Sequence, residues 1–340
     1  MKPTIKTVAE RAGVGLSTVS RVINDNYPVS SESRIKVENA IRELGYSPNV
    51  IARSLKSRNT WLIGIVVDDI SNQFYMQLVK SIEDVLIAKN YDIIISSSDG
   101  SKEKENRIIN RFLDRCVDGL IIATCQENDK EIARVKARGV PLVLVDRNIE
   151  NAYYNAVLED NEANSYEITD YLIKCGHKRI CIVNGFSGIN TVKTRHQGFI
   201  KAHKENALEV NEKLVIYHVS DQPFENMVLT RLTSLSKDEF PTAIFTTNNT
   251  RCEMIIKVLY DMNLKVPDDV SLASYGNISN PWMFYSKLTH IRQDVTRIGK
   301  KTGEIMLENL IDDRIHHTRE YIINSEIVYG DSVKNIGNPL

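Results

Sequence analysis

The side chains that could do catalytic or metal chemistry form none of the familiar motifs in this 340-residue sequence. There is no G-x-S-x-G nucleophile turn, no phosphate-binding G-K-[ST] loop and no H-E-x-x-H metal pair. The five cysteines are scattered and include no C-x-x-C, which argues against a zinc cage or a disulfide framework. His316 and His317 are expected on a solvated helix end. We therefore predict a protein that is not an enzyme, binds no metal and needs no cofactor.

Polar and charged side chains instead lie in the loops and at the helix starts that come after short apolar runs rich in Ile and Val. Carboxylate, amide and guanidinium groups in such positions can bind a small polar ligand. Because the carboxyl ends of parallel strands meet at one edge of a sheet, residues that are distant in sequence can converge there. The residues concerned are Asp68, Asp69, Asn72, Arg147, Arg195 and Asn248.

The apolar runs that position these residues alternate with helical segments from Trp61 onward. Such runs are typical of strands that are buried on both faces, as in a parallel sheet covered by helices. Eight strand–helix units in about 220 residues fit two doubly wound lobes of four or five strands better than one sheet, with a ligand cleft between the lobes. The predicted strands are 62–67, 91–96, 119–124, 141–146, 179–185, 214–219, 242–247 and 271–276.

The first 57 residues contain no convincing strand and indicate a small helical domain. Apolar stripes at helical spacing, with Gly13 after the first and Gly45 after the third, predict a helix-turn-helix unit and a third helix. Residues 1–58 hold ten Lys or Arg and five Asp or Glu, so this segment carries +5 although the whole chain carries −1. A basic head on an acidic body is typical of a nucleic-acid-binding protein with a separate sensing domain.

Composition excludes several other classes of protein. The hydrophobic fraction of 42% and the charged fraction of 26% are ordinary for a packed, soluble chain. No apolar run approaches the roughly 20 residues of a membrane helix, and no apolar core follows the N-terminal lysines as it would in a secretory signal. Together with the odd number of cysteines, these features predict a cytoplasmic protein.

Longer motifs resemble the lac repressor/galactose repressor family of bacterial transcription regulators, over nearly everything before residue 330. The resemblance implies an all-α helix-turn-helix head plus an α/β body, whose two doubly wound parallel-sheet lobes are of the periplasmic-binding-protein type. It also implies a homodimer that binds a pseudo-palindromic operator. The motifs are TVAERAGVGLSTVSRVIN (7–24), SESRIKVENAIRELGYSPNVIARSL (31–55), IGIVVDDISNQFY (63–75), RCVDGLII (115–122), GVPLVLVDR (139–147), LEDNEA (158–163), KCGHKRICIVNG (174–185), the Arg195-x-x-Gly198 step and LTHIRQD (288–294).

The resemblance implies that the second helix of the head reads DNA, through Leu16, Ser17 and Arg21. Arg21 can bond a guanine or a phosphate, Ser17 a base or the backbone, and Leu16 can contact a thymine methyl group. Gly15 departs from the family, which commonly has Ser or Thr at this helix cap, but glycine is tolerated there. Phosphate contacts are expected from Thr4, Thr18, Ser20 and Asn24, with capping or intrahelical bonding as the alternative for the last three.

The segment PNVIARSL at 48–55 is the sharpest local signal for DNA binding. Pro48 favours a helical start, but a helix this short is marginal alone. The resemblance implies that two copies fold together in the minor groove, where Leu55 wedges between base pairs and kinks the duplex. The alternative is a linker in which Leu55 is covered by the body. The other DNA contacts expected in this segment are Asn49, Ala52 and Lys56.

For the body, the resemblance implies an effector in the cleft, with Arg195 reaching across to it. Gly276 stands where sugar-binding relatives usually have Asp, and Asn248–Asn249 replaces a pair that usually contains Asp. Losing carboxylates while keeping two arginines favours an anionic effector, a sugar acid or a sugar phosphate, over a neutral sugar. The expected effector-binding residues are Asp69, Asn72, Phe74, Tyr75, Arg147, Arg195 and Asn248.

The sequence thus predicts a DNA-binding transcriptional regulator, in the first place a repressor, that is switched by a sugar, a sugar acid or a sugar phosphate. The alternatives are an effectorless or protein-modulated regulator, a solute-binding module without a DNA role, and a nucleoid-architectural protein. The tail lacks the leucine heptads of a helical tetramer, so a dimer is expected.

Connections between the lobes are expected near Asp160, Gln293 and Arg319. The corresponding domains are a helix-turn-helix head (1–46), a hinge helix and linker (47–60), an N-terminal lobe (61–160 with 294–319) and a C-terminal lobe (161–293 with 320–335).

Overall fold

The computed structural model describes residues 3–24, 27–47, 59–125, 129–149, 154–219, 223–311 and 319–337. By its internal contacts the chain divides into two units, 1–61 and 62–340. Within the described ranges, no helix has both the length and the apolar character that a membrane span requires.

The first unit is a domain of three helices, α1 (Ile5–Ala12), α2 (Leu16–Asn24) and α3 (Ser31–Leu44). Helix α1 ends at Gly13 and α3 at Gly45, both in the left-handed conformation that glycine adopts without strain. The predicted helix-turn-helix head is therefore confirmed. Its core consists of Val8, Ala9, Ala12, Val19, Val22, Val37 and Ala40.

The second unit alternates strands with helices. Two short 3₁₀ turns, at Glu212–Leu214 and Pro281–Met283, interrupt the alternation. In chain order the elements are β1 (Leu62–Val67), α4 (Gln73–Ile87), β2 (Asp92–Ser97), α5 (Lys102–Asp114), β3 (Gly119–Ile122), α6 (Asp129–Ala137), β4 (Leu142–Val145), β5 (Asn155–Glu159), α7 (Asn161–Lys174), β6 (Ile180–Val183), α8 (Asn190–Glu205), β7 (Val215–Ile216), α9 (Phe224–Thr233), β8 (Ala243–Thr246), α10 (Asn249–Asp261), β9 (Ser271–Tyr275), β10 (Thr289–Arg292), α11 (Val295–Ile311), β11 (Glu320–Ile323) and β12 (Glu326–Val328).

These strands form two six-stranded sheets, each the centre of one lobe. The first has the order β11-β5-β4-β3-β1-β2 and is parallel throughout. The second has the order β12-β10-β9-β8-β6-β7 and is parallel except for β12. Neighbouring residues of β1, such as Ile65 and Val66, belong to separate apolar cores on opposite faces of the sheet. Burial on both faces explains why the strand sequences are continuously apolar.

The chain connects the two sheets three times. The first two connections follow β5 and β10, at Asp160 and Gln293 as predicted. The third follows β11, at 324–325, one strand later than the expected position near Arg319. Residues 320–323 therefore belong to the first lobe, and the predicted boundary is wrong here. The sequence EYII mixes a charge with apolar residues, as an edge strand does, and resembles none of the continuous runs.

Close packing of α7 against α8 depends on Gly198. A Cβ at this position would lie 2.2 Å from the carbonyl oxygen of Glu162 and 2.8 Å from the backbone nitrogen of Tyr166. We expect Gly198→Ala to lower the free energy of unfolding by about 1–3 kcal/mol, as overpacking does, in denaturant titrations. Gly188→Ala is the control, because a Cβ there meets nothing within 4 Å. Equal stability of the two variants would contradict this packing.

Candidate functional site

Loops at the carboxyl ends of strands from both sheets line a cavity of about 190 Å³. Loops after β1 and β4 form the wall on the first lobe, and loops after β6 and β8 form the wall on the second. All seven residues that the sequence assigned to the effector lie on these walls, although their contact with an effector stays a prediction. They are Asp69, Asn72, Phe74, Tyr75, Arg147, Arg195 and Asn248.

On the first lobe, Arg147 is buried and neutralised by acidic neighbours. Its Nη2 donates to Asp68 Oδ2 at 2.8 Å, and its Nε lies 3.6 Å from Asp146 Oδ2. The hydroxyl of Tyr75 donates to the same Asp146 oxygen at 3.0 Å. Burial raises the pKa of Tyr75 well above its usual range, with Arg147 opposing and the two carboxylates adding to the rise. Tyr75 therefore stays a neutral donor, and the charge of Arg147 is already balanced.

On the second lobe, Arg195 is 6% exposed and held by neutral groups. Its Nε donates to Asn161 Oδ1 at 2.7 Å, and its Nη1 donates to the carbonyl of Thr247 at 2.6 Å. The guanidinium carbon lies 3.6 Å from the ring centre of Tyr275, a cation–π contact. These contacts fix the orientation of Arg195 from three directions.

An amide pair joins the two lobes across the cavity. Asn249 Nδ2 donates to Asn72 Oδ1 at 3.0 Å, and Asn72 Nδ2 lies 3.4 Å from Thr250 Oγ1. Asn248 has a structural task, because its Oδ1 accepts from the backbone nitrogen of Arg251 at 2.8 Å and caps α10. Of the neighbouring residues Asn248 and Asn249, it is therefore Asn249 that makes the contact between the lobes, although the sequence did not assign it to the site.

Gly276, whose departure from the family suggested an anionic effector, does not line this cavity. It lines a neighbouring one of about 380 Å³, which shares Phe74, Asn249 and Gln293 with the first. Its φ of 87° favours glycine, and a Cβ would lie 3.2 Å from Gln293 Oε1. Gly276 therefore lies outside the cavity that the seven predicted effector-binding residues line.

A buried carboxyl group joins the three connections between the lobes. Glu159, at the first connection, accepts hydrogen bonds from Gln293 Nε2 at the second and from Ser325 Oγ at the third. Burial raises the pKa of Glu159, although Arg195 and the two hydrogen bonds oppose the rise. Sequence reasoning missed this residue, because only the fold brings the three connections together.

In the head, α2 presents the side chains expected to read DNA on its exposed face. Leu16 is 46% exposed, and Ser17 and Arg21 are also exposed. Thr18 and Ser20 are half-buried at the edges of this face. Thr4 is exposed but caps α1, since its hydroxyl accepts from the Thr7 nitrogen at 3.3 Å. The side chain of Asn24, and Asn49, Ala52, Leu55 and Lys56 of the expected hinge helix, lie outside the described residues.

Two further wall residues, Phe186 and Arg251, were missed by sequence reasoning. Phe186 lies in the loop after β6, and Arg251 lies in the first turn of α10 beside Asn248. Their positions at the carboxyl ends of predicted strands were the available signal.

Comparison with known families gives two matches that together span most of the chain. Residues 60–335 match the model described as periplasmic binding proteins and sugar binding domain of LacI family. Residues 4–49 match the model described as bacterial regulatory proteins, lacI family.

Individual proteins are similar over nearly the full length. The HTH-type transcriptional repressor PurR of Vibrio parahaemolyticus is 32% identical, over 98% of this chain and 99% of the relative. The repressor of the same name from Photobacterium profundum is also 32% identical over the same shares. The crystal structure of the lac repressor dimer bound to operator and the anti-inducer ONPF superposes with a TM-score of 0.85 at 22% identity, covering 98% of this chain and all of that one. This last likeness concerns the fold.

Stability should depend on pH through Glu159. Because its pKa is raised above the ordinary 4.5, the folded state keeps the proton to higher pH than the unfolded state. The stability that this proton contributes is present below the unfolded pKa and is lost as the pH rises through the folded pKa. Glu159→Gln cannot ionise, so we expect its melting temperature to fall less than that of the wild type between about pH 5 and pH 8.

Calorimetry across this pH range makes the measurement. Glu167→Gln is the control, since Glu167 is an exposed carboxyl on α7 and its replacement should leave the pH dependence unchanged. If the melting temperature of Glu159→Gln depends on pH as strongly as that of the wild type, the Glu159 carboxyl is not the source of this pH dependence.

Proposed function

This chain belongs to the LacI family of bacterial regulatory proteins and is a DNA-binding transcriptional repressor controlled by a small effector, and we propose that the effector is an anionic sugar derivative bound between its two lobes. The observation that carries this proposal is the cavity between the lobes, whose walls hold all seven residues assigned from the sequence. Like its relatives, which are named as repressors, the protein has no catalytic role in this proposal and acts where bacterial DNA lies, in the cytoplasm.

On operator DNA, the exposed face of α2 enters the major groove. Arg21 and Ser17 bond base edges or the backbone, and Leu16 contacts a thymine methyl group. Thr4, Thr18, Ser20 and Asn24 contact phosphates, which set the register without reading sequence. In a homodimer two heads read the halves of a pseudo-palindrome, and the segment of Asn49, Ala52, Leu55 and Lys56 folds in the minor groove between them.

An anion is favoured by the elements that point at the cavity. Helices α4, α8 and α10 all begin beside it, at Asn72, Ile189 and Asn248. The first turns of helices carry partial positive charge and unsatisfied N–H groups, which attract carboxylates and phosphates. Three arginines lie on the same walls, and one of these is balanced by carboxylates within the protein.

Switching follows from differential binding to two arrangements of the lobes. The effector touches both walls, so it stabilises the arrangement in which the walls lie at the correct distance. The amide pair Asn72–Asn249 and the cluster around Glu159 are the interlobe contacts that respond to such a movement. A changed lobe arrangement alters the geometry with which the dimer presents its heads, and thereby the affinity for operator.

DNA recognition is tested by selecting a binding site from randomised duplexes with the full-length protein. We expect a pseudo-palindrome, and Arg21→Ala should weaken binding to it by about 5- to 150-fold, since a base-edge contact is worth roughly 1–3 kcal/mol. Arg42→Ala removes the same charge from α3 and should change the affinity less. Fluorescence anisotropy measures both. Equal losses would mean that α2 contributes only charge.

Effector control is tested by thermal-shift screening against neutral sugars, sugar acids, sugar phosphates and purines. An anionic hit should change operator affinity by about 5- to 150-fold, the usual range of allosteric coupling. Arg195→Ala should abolish the stabilisation, whereas Lys201→Ala, on the exposed side of α8, should keep it. Stabilisation by neutral sugars alone would overturn the anionic effector. Operator binding without any stabilising compound would favour an effectorless or protein-modulated regulator.

A further inference from the structure

The cavity wall on the second lobe holds an arginine whose charge no neighbouring carboxylate balances. Among the described residues, no acidic side chain lies within 4 Å of the Arg251 guanidinium, whereas Arg147 pairs with Asp68 and Asp146. Arg251 Nε is buried without a hydrogen-bond partner. Burial lowers the pKa of Arg251, and Glu225 and Asp68 oppose this at longer range. Because arginine stays protonated in proteins, its desolvated charge is a standing cost that a bound anion would offset.

Neighbouring rings hold this guanidinium in place. Its Nη2 donates to Nδ1 of His218 at 2.7 Å, and its central carbon lies 4.4 Å from the ring centre of Phe224. His218 stacks on Phe186 with ring centres 4.3 Å apart. Since a guanidinium only donates, Nδ1 of His218 must accept and carries no proton. Arg251 and Phe186 both line the cavity.

A second source of positive potential lies on the same wall. Helix α8 starts after Ile189, which offers no side-chain hydrogen bond to cap it, whereas α10 is capped by Asn248. Thr191 and Val192 of this first turn line the cavity together with Arg251. The uncapped first turn leaves N–H groups for an oxygen ligand.

We propose that Arg251 is the specificity-determining residue for the anionic group of the effector, a carboxylate or a phosphate. His218 is a positioning residue that orients the guanidinium, and Phe186 stacks on the imidazole. Arg195 and Arg147 contact the rest of the ligand without supplying this selectivity. The inference rests on the proposed function, because it concerns the same cavity.

The test compares acidic probes with their neutral parents on the full-length protein by calorimetric titration. The probes are glucuronate and glucose 6-phosphate against glucose, galacturonate against galactose, ribose 5-phosphate against ribose, and inorganic phosphate alone. We expect an acidic probe to bind the wild type at least tenfold more tightly than its parent. Arg251→Met should weaken that probe by about 10- to 100-fold, the size of a charge-assisted hydrogen bond, and leave the parent unchanged. Which acidic probes bind identifies carboxylate or phosphate as the recognised group.

Two controls separate selectivity from a general loss of charge or structure. Lys257→Met removes a cation from the exposed side of α10 and should keep the preference for the acidic probe. His218→Asn retains an acceptor near the Nδ1 position and should preserve much of the preference, whereas His218→Leu should lose it. Equal behaviour of these two His218 variants would overturn the positioning role.

Three results would overturn the role of Arg251: binding of the neutral parents alone, binding of no acidic probe, or an unchanged preference in Arg251→Met. Operator binding without ligand is measured in parallel and should be the same for wild type and Lys257→Met. If the wild type binds no palindromic DNA, or if a bound probe leaves operator affinity unchanged, the proposed function fails while the anion preference of Arg251 still stands.

Discussion

The hydrogen bonds of Glu159 are the constraint on which the body of this protein depends. Two sheets are connected by three crossings of the chain, and at each crossing the backbone passes from one lobe to the other. A buried carboxylate is costly unless donors satisfy it. Gln293 and Ser325, one from each of the other crossings, donate to Glu159 and lower this cost, although burial still raises its pKa. The three crossings are therefore held together at one point.

The hydrogen-bond and ion-pair partners of the arginines in the cavity say more about its ligand than the number of charges does. Counting arginines and lost aspartates predicts an anion, but Arg147 already has two carboxylates and Arg195 has two neutral acceptors and an aromatic ring. Arg251, like Arg195, contacts no carboxylate in the described part of the chain, but its Nε is in addition buried without a hydrogen-bond partner. The anionic-effector hypothesis therefore keeps its direction, but its physical basis moves to another residue.

Local patterns made much of the fold predictable, and tertiary contacts account for what was missed. The run 62–67 and the stops at Gly13 and Gly45 are recognisable within a few residues, and the fold follows them. The edge strand 320–323 mixes a charged residue with apolar residues, so no pattern marks it. The seven cavity residues were found because they follow strands in motifs that the family shares. Contacts such as Arg251 with His218, 33 residues apart, depend on packing that no local pattern encodes.

Departures from the family that look independent in the sequence are connected in the structure. Glu159 accepts from Nε2 of Gln293, which turns Oε1 of the same amide towards Gly276. An aspartate at 276 would place its carboxylate near that oxygen, and two acceptors repel each other without a proton between them. At 249, an aspartate could not donate to Asn72 Oδ1 as the amide of Asn249 does. Glycine at 276 and asparagine at 249 are thus compatible with the hydrogen bonds that Gln293 and Asn72 make. As a consequence, these two residues lower the negative charge of the cleft.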